Sequence, residues 1–275
     1  MADRKKSSRY IAEHIRRVLK DGGSTAHAKG VQHFFKEEIH SRGWYTQELR
    51  RLAVRFRRTI VNERGTDFLV EVADQLFRGR VQEEKNMAVF LLEKNPATLG
   101  EAEFKLFEAW LARITNWSDH DGLVHYLIAP MIAAHPKRVD VVFRWADSPN
   151  RWHRRAACVA LIQGTRRGLF FKEITRLSTV LLDDEDDMVQ KGLGWLLRET
   201  TKFNAETTLP FLMKIRSKTP RLVLRTACET LPLSLRQRVL GREKLTDRQE
   251  GISAAGVRNF SQRVARSKRK AAGMS

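Results

Sequence analysis

The chain has 275 residues, of which 42% are hydrophobic, so it can bury a continuous core as one domain or one repeat array. Its 51 Lys and Arg against 32 Asp and Glu give a formal net charge of +19, which attracts polyanions and makes nucleic acid the leading partner. No apolar run approaches the roughly 20 residues that a membrane span needs, and none follows the basic N-terminus, so we expect no membrane association and a cytoplasmic, nucleoid-associated or otherwise intracellular protein.

Apolar residues recur at helical spacing along almost the whole chain, and no convincing alternating strand appears. The stripes that predict helices are Val31, Phe34, Phe35 and Ile39, then Phe104, Phe107, Trp110 and Leu111, and then Ile174, Leu177, Val180 and Leu181. Helix-breaking clusters separate them, as in Asp21-Gly-Gly-Ser-Thr25 and Ser148-Pro-Asn150. Because the connections are short, consecutive helices are expected to pack as antiparallel neighbours.

Four segments repeat one pattern, in which a cation precedes small residues and then aliphatic ones. They begin at Lys85, Arg155, Lys191 and Arg225, so their starts are 70, 36 and 34 residues apart. These separations are close to multiples of about 35 residues, the scale of paired-helix solenoid units. We therefore predict an all-α fold over residues 1–240, an α-solenoid of HEAT-like antiparallel helical pairs. Its small residues would allow close helix packing, and its leading cations would reach a concave basic face.

Residues 241–275 are predicted to form a basic, disordered tail. The apolar period weakens there, six Lys and Arg residues follow position 257, and no acidic residue occurs after Glu250. The tail either adds contacts to phosphates or serves as a solubilising terminus without a further role.

Two local features have structural interpretations. The acidic cluster Asp183-Asp-Glu-Asp-Asp187 is expected to cap the helix that carries Trp195, and it lacks the ligand spacing of a metal site. Cys158 and Cys228 lie in apolar helical patterns and are expected to be buried, reduced thiols.

Two tryptophans and one carboxylate stand out against this repetitive basic background. Trp117 and Asp121 occur in Asn116-Trp-Ser-Asp-His-Asp121, and Trp195 follows much later in the chain. Aromatic faces and a carboxylate both stabilise a cation, so this set suits a reaction in which positive charge develops on a sugar. The residues therefore point toward cleavage of a nucleoside bond.

Three motifs, in this order, resemble the AlkD-like DNA alkylation repair family. They are Asn116-Trp-Ser-Asp-His-Asp121, Arg151-Trp-His-Arg-Arg-Ala-Ala157 and Val189-Gln-Lys-Gly-Leu-Gly-Trp-Leu-Leu-Arg-Glu199. The Gly-Trp-Leu-Leu-Arg-Glu string is the most specific, and the resemblance covers roughly residues 25 to 235. It implies a monomeric, monofunctional DNA glycosylase that hydrolyses the N-glycosidic bond of 3- or 7-alkylated purines in duplex DNA without metal or cofactor. It also implies that the lesion stays stacked while the enzyme acts on the deoxyribose from outside.

The resemblance assigns roles to individual residues of this chain. Asp121 matches the essential carboxylate, Trp117 and Trp195 match the two aromatic site residues, and Arg155 matches an arginine that approaches the DNA backbone. The cations beside these motifs, Arg154, Lys191 and Arg198, are further candidates for phosphate contacts.

Several alternatives stay open. Asp121 could be the N-cap of a helix that starts at Gly122, and it shares a helical face with Trp117 only if that helix begins earlier. The pair His120-Asp121 also resembles the HD pair of metal phosphohydrolases, although further ligands are not evident. Trp110, Trp145 and Trp152 are expected in the core. The alternative functions are a non-catalytic DNA-structure binder of the same fold and a HEAT-like protein-interaction scaffold.

Overall fold

The computed structural model describes residues 7–241, which form α-helices joined by short turns and no β-strand. The helices are α1 (Ser8–Asp21), α2 (Thr25–Gln32), α3 (Thr46–Phe77), α4 (Gln82–Leu92), α5 (Glu101–Trp110), α6 (Trp117–Leu123), α7 (Ala129–Ala134), α8 (Val141–Ala146), α9 (Arg151–Val159), α10 (Ile162–Thr165), α11 (Phe171–Val180), α12 (Asp187–Phe203), α13 (Ala205–Ile215), α14 (Arg221–Ala227) and α15 (Leu233–Val239). None of these helices combines the length and apolarity that crossing a membrane requires. The predicted all-α fold is confirmed.

The described residues divide after Met131 into two compact units. In the first unit, α3 packs along α4, and α4 packs against α6. The helix α3 is kinked at Gly65, whose φ of 82° lies in the left-handed region that glycine adopts readily. The core of this unit includes Phe77 and Trp110, whose rings stack with centroids 4.2 Å apart.

Asp74 lies beside this ring stack and binds the indole N–H of Trp110. Its carboxylate accepts hydrogen bonds from the indole of Trp110 at 2.8 Å, from Arg113 at 2.9 Å and from Arg78 at 2.6 Å. Burial by itself raises the pKa of Asp74, but these three donors outweigh burial and leave the pKa below its ordinary value of 3.8. The ionised carboxylate therefore stabilises this unit.

One predicted helix is wrong. The apolar stripe from Val31 to Ile39 was expected to be helical, but α2 ends at Gln32. The Gln32 amide donates to the Glu37 carbonyl at 2.9 Å, and its oxygen accepts from the Ile39 backbone at 3.0 Å. These bonds close residues 33–39 into a loop, and Phe34 is 75% exposed there.

In the second unit, α12 packs between α9 and α14. Asp186 caps α12 by accepting hydrogen bonds from the backbone of Met188 and Val189, so the capping role predicted for the acidic cluster is confirmed. A Cβ at Gly194 would lie 2.6 Å from the Cβ of Thr226, so this glycine permits the close approach of α14. Small residues therefore do allow tight helix packing, as the repeat pattern predicted.

Two of the leading cations of the repeat do not reach a surface, which corrects the prediction. Lys85 is 3% exposed and Arg155 is 5% exposed, and both bind groups of their own unit. Cys158 and Cys228 are confirmed as buried free thiols, and burial raises their pKa values to about 12 and about 11. Trp110, Trp145 and Trp152 are buried, as expected.

The solenoid, its concave basic face and the 1–240 domain boundary remain predictions. The basic tail lies outside the described residues, except for Gly241.

Candidate active site

The helix α6 begins early enough to place Trp117 and Asp121 one turn apart on one face. Asn116 is its N-cap, because the Asn116 side chain accepts hydrogen bonds from the backbone of Ser118 at 2.9 Å and Asp119 at 3.0 Å. Asp121 therefore lies inside the helix, and its alternative role as an N-cap is wrong. A π-helical segment, Val124–Ile128, follows directly, a deviation that is frequent at functional sites.

Trp117 is half-buried and is fixed by an aromatic loop. The ring of Phe35 stacks on it with centroids 4.9 Å apart and an interplanar angle of 11°. Its indole N–H donates to the Phe34 carbonyl at 3.3 Å. One face of Trp117 is thus covered by Phe35, so only the other face and the ring edges can meet a substrate. Sequence reasoning missed both phenylalanines as site residues, since it placed them in a helical core stripe.

Asp121 keeps a partly exposed carboxylate, with 24% of its side chain accessible. Its Oδ1 lies 2.8 Å from Nδ1 of His120, which is fully buried. With a proton on Nδ1, the imidazole donates this bond and orients the carboxylate. The structure thus gives His120 a partner that the sequence did not reveal.

A buried ion pair joins α4 to the first turn of α6. Lys85 Nζ of α4 lies 2.7 Å from Asp119 Oδ2, and both side chains are almost inaccessible to solvent. Lys85 also donates to the Arg113 carbonyl at 2.8 Å, and Thr115 donates to Asp119 at 3.0 Å. Removing one partner of such a pair leaves an uncompensated charge, so this cluster fixes where α6 begins. The adjacent acidic residue in the motif, Asp119, is therefore a structural residue.

In the second unit, Lys191, Trp195 and Arg198 follow one face of α12. Their spacing of four and then three residues places them along one helical stripe, and all three are half-buried. Lys191 pairs with Asp187 at 3.2 Å, and Arg198 pairs with Glu229 and, at 3.6 Å, with Glu199. The stripe therefore presents one aromatic ring between two cations that already have acidic partners.

Arg154 and Arg155 of α9 are also engaged within their unit. Arg154 Nε lies 2.6 Å from Asp184, and the same guanidinium donates to the carbonyls of Ser148 and Pro149. Arg155 donates from Nη1 to the Met188 carbonyl at 2.6 Å, in the first turn of α12. This arrangement gives Arg155 a packing role between α9 and α12. These contacts favour packing, and the contact with the DNA backbone that the family resemblance implies for Arg155 is not tested by them.

Trp117 and Asp121 belong to the first unit, whereas Arg154, Arg155, Lys191, Trp195 and Arg198 belong to the second. The candidates of the first unit lie on one face of α6, and those of the second unit lie on α9 and α12, which pack against each other. Over residues 7–241, no three side chains of His, Cys, Asp and Glu form a group that could hold a metal ion.

Exposed arginines on α3 were not singled out from the sequence. Arg51, Arg55 and Arg58 are all exposed at spacings of four and three residues. None of them forms an ion pair with an acidic residue in the described part of the chain. Arginines that lack acidic partners on one helical face are suited to bind phosphates.

The helices and these side chains define an all-helical protein with an aromatic and carboxylate site on a basic scaffold. The profile of a family described as DNA alkylation repair enzyme matches residues 15–231. The chain therefore belongs to the DNA alkylation repair enzyme family, and that family implies a DNA substrate.

A solved structure shows the same fold. It is described as a predicted DNA alkylation repair enzyme from Enterococcus faecalis, and it aligns with a TM-score of 0.68 at 16% sequence identity. The alignment covers 77% of this chain and 97% of that one. None of the curated proteins compared with the chain matches it.

Proposed function

We propose that the protein is a monofunctional DNA glycosylase, which hydrolyses the N-glycosidic bond of cationic 3- or 7-alkylated purines in duplex DNA. The observation that carries this proposal is the pairing of Trp117 and Asp121 on one face of α6. Trp117 is fixed by Phe35, and the Asp121 carboxylate is accessible yet held by His120. A preorganised carboxylate of this kind is effective where positive charge develops in a transition state.

The chemistry requires little else from the protein. Alkylation at ring nitrogen 3 or 7 leaves the purine cationic, so the base departs neutral and needs no general acid. The developing charge then lies on the deoxyribose, as in the oxocarbenium-like transition state of glycosidases. Asp121 opposes this charge and orients the attacking water, and the face of Trp117 that Phe35 leaves uncovered presents an electron-rich surface to the sugar. Trp195 is assigned the second aromatic contact by the family resemblance.

An open site fits this reaction without base flipping. Enzymes that act on a base usually extrude the nucleotide into a pocket. Here the half-buried carboxylate lies on a short helix, and the proposed reaction involves the sugar, which is accessible from outside the duplex. Lesion recognition with the base still stacked is therefore part of the proposal, as is action as a monomer in the cytoplasm.

Binding to the duplex is assigned to cations on both units. Lys191 is the most accessible candidate on α12, since 42% of its side chain is exposed. Arg154 and Arg198 would have to exchange their carboxylate partners for phosphates. The exposed α3 residues Arg51, Arg55 and Arg58 would not. Such contacts position the duplex, carry no base information and weaken with salt.

The test is release of free 7-methylguanine from methylated duplex DNA under single-turnover conditions. Asp121→Asn should fold and bind DNA normally but release base at least roughly 10-fold more slowly, because one preorganised charge contributes a few kcal/mol to transition-state stabilisation. The DNA strand should stay intact until it is treated with alkali. Unchanged release by Asp121→Asn would remove this residue from the mechanism.

Two outcomes would support other functions. Salt-dependent binding to DNA without base release by the wild-type protein would favour a non-catalytic DNA-structure binder. An absence of DNA binding would favour a protein-interaction scaffold.

A further inference from the structure

A cleft of about 470 Å³ lies within the first unit, between α3 and the C-terminal end of α4, and we call it the α3 cleft. The apolar part of its lining is entirely aliphatic and consists of Val54, Val61, Leu69, Leu91, Leu92 and Leu99. Val54 is 49% exposed, so this apolar lining reaches the protein surface. The volume falls in the range of cavities that bind ligands.

The charged part of the lining is entirely positive. Arg57, Arg58 and Lys94 line the α3 cleft, and none of the acidic residues in the described part of the chain does. Glu93 attracts Arg57 electrostatically, but its carboxylate forms its ion pair with Arg50. A phosphate group would use the three cations and leave the aliphatic side chains exposed to water. The lining therefore favours a ligand that carries both negative charge and aliphatic groups.

A second concavity extends this surface along α3. It has a volume of about 640 Å³, is lined by Trp44, Glu48, Arg51, Val54 and Arg55, and meets the α3 cleft at Val54. Between Glu48 and Asn62, the two concavities follow about 21 Å of the helix, at 1.5 Å per residue. An extended peptide covers this length with roughly six residues. The surface is thus long enough for a peptide segment, which can place several side chains along it.

We propose that the α3 cleft is a docking site for an acidic peptide segment of a partner protein. Aliphatic side chains of the segment enter the cleft, and its carboxylates bind Arg57, Arg58 and Lys94. Apolar anchors in a groove with complementary charges at its edge are a common mode of peptide recognition. Arg58 also belongs to the exposed α3 arginines assigned to DNA above, so peptide and duplex would compete for this one side chain. The docking site goes beyond the proposed glycosylase activity and does not depend on it.

The experiment selects peptides from a random library displayed on phage against the immobilised full chain, at physiological salt. The enriched peptides should combine Asp or Glu with Leu, Ile or Val, because the α3 cleft offers both cations and aliphatic side chains. One enriched peptide is then synthesised with a fluorescent label, and its Kd for each variant is measured by anisotropy.

Two pairs of variants locate the bound peptide. Val54→Ser should weaken binding by roughly threefold to tenfold, because burial of the exposed part of one valine is lost. Its control, Val180→Ser, changes a valine that is 55% exposed in the other unit and should match wild type. Lys94→Glu should weaken binding by about tenfold or more, whereas Lys105→Glu, at an exposed position of α5, makes the same change in net charge and should have a much smaller effect. All four variants should melt like wild type, since none of these side chains is buried.

Duplex DNA separates this site from a phosphate-binding surface. Val54→Ser should leave the affinity for duplex DNA unchanged, because a phosphate contact does not use an apolar side chain. A loss of duplex affinity in Val54→Ser would overturn the proposal, since the α3 cleft would then belong to the DNA-binding surface. Selection that yields no peptide, or only acidic peptides without aliphatic residues, would also overturn it. So would equal peptide affinity of Val54→Ser and wild type. Base release is not measured, so failure of the proposed activity would leave this inference unaffected.

Discussion

Substitution of Arg155 distinguishes a packing role from a contact with DNA. Its side chain is 5% exposed, its Nη1 donates to the Met188 carbonyl, and its Cγ lies 3.1 Å from where a Cβ on Gly192 would be. The change Arg155→Ala removes a charged hydrogen bond, which contributes about 1.5–3 kcal/mol, and the packing of the side-chain stem. We expect a total loss of about 2–4 kcal/mol of unfolding free energy.

The assay has two arms. For a chain of this size, 1 kcal/mol shifts Tm by about 2–4 °C, so a loss of about 2–4 kcal/mol should lower Tm by roughly 4–16 °C. The dependence of log K for duplex DNA on log salt should keep the wild-type slope, measured at a temperature where the variant is folded. The matched control is Arg58→Ala, which removes an exposed arginine and should leave Tm unchanged.

The opposite pattern would refute this reasoning. If Arg155 contacts a phosphate, as the family resemblance implies, its removal should lower the salt slope by about 0.9, with equal loss for damaged and undamaged DNA. A lower slope with an unchanged Tm would show that the guanidinium leaves the Met188 carbonyl and binds DNA.

The other predictions concern aromatic residues and pH. Trp145→Ala should lower the free energy of unfolding by about 3–5 kcal/mol, because Trp145 is 3% exposed. Trp195→Ala should slow base release with a smaller loss of unfolding free energy. Severe unfolding of both variants would make Trp195 a core residue. Asp74→Asn should destabilise the protein at neutral pH. Because the pKa of Asp74 is lower in the folded state, its stabilisation is present above pH 3.8 and is lost as pH falls through the folded pKa. The denaturant midpoints of wild type and Asp74→Asn should therefore converge below pH 3.8. A difference that is constant with pH would mean that the carboxylate charge does not cause the stabilisation. The control is Asp67→Asn, at an exposed position.

The sequence predicted the features that depend on neighbours within a turn or two of the chain. Helical periodicity identified the buried stripe that contains Phe107 and Trp110, and the carboxylates before α12 identified its cap. The motif around Trp117 and Asp121 indicated a site for cation-stabilising chemistry in the same way, and this site stays a prediction. In each case the information lies in residues that are close in sequence, because a helix repeats every 3.6 residues and a cap acts on the first turn.

Only the tertiary structure decided which side chains meet across long separations. Lys85 and Asp119 are 34 residues apart, and Arg155 and Met188 are 33 apart, so no local pattern distinguishes these buried cations from ones that face solvent. The helix predicted around Phe34 was wrong for the same reason. Its spacing fits a helix, but hydrogen bonds from Gln32 and contacts with Trp117, 83 residues from Phe34, favour a loop. Periodicity reports which residues can share a face, whereas burial and partner choice depend on what packs against that face.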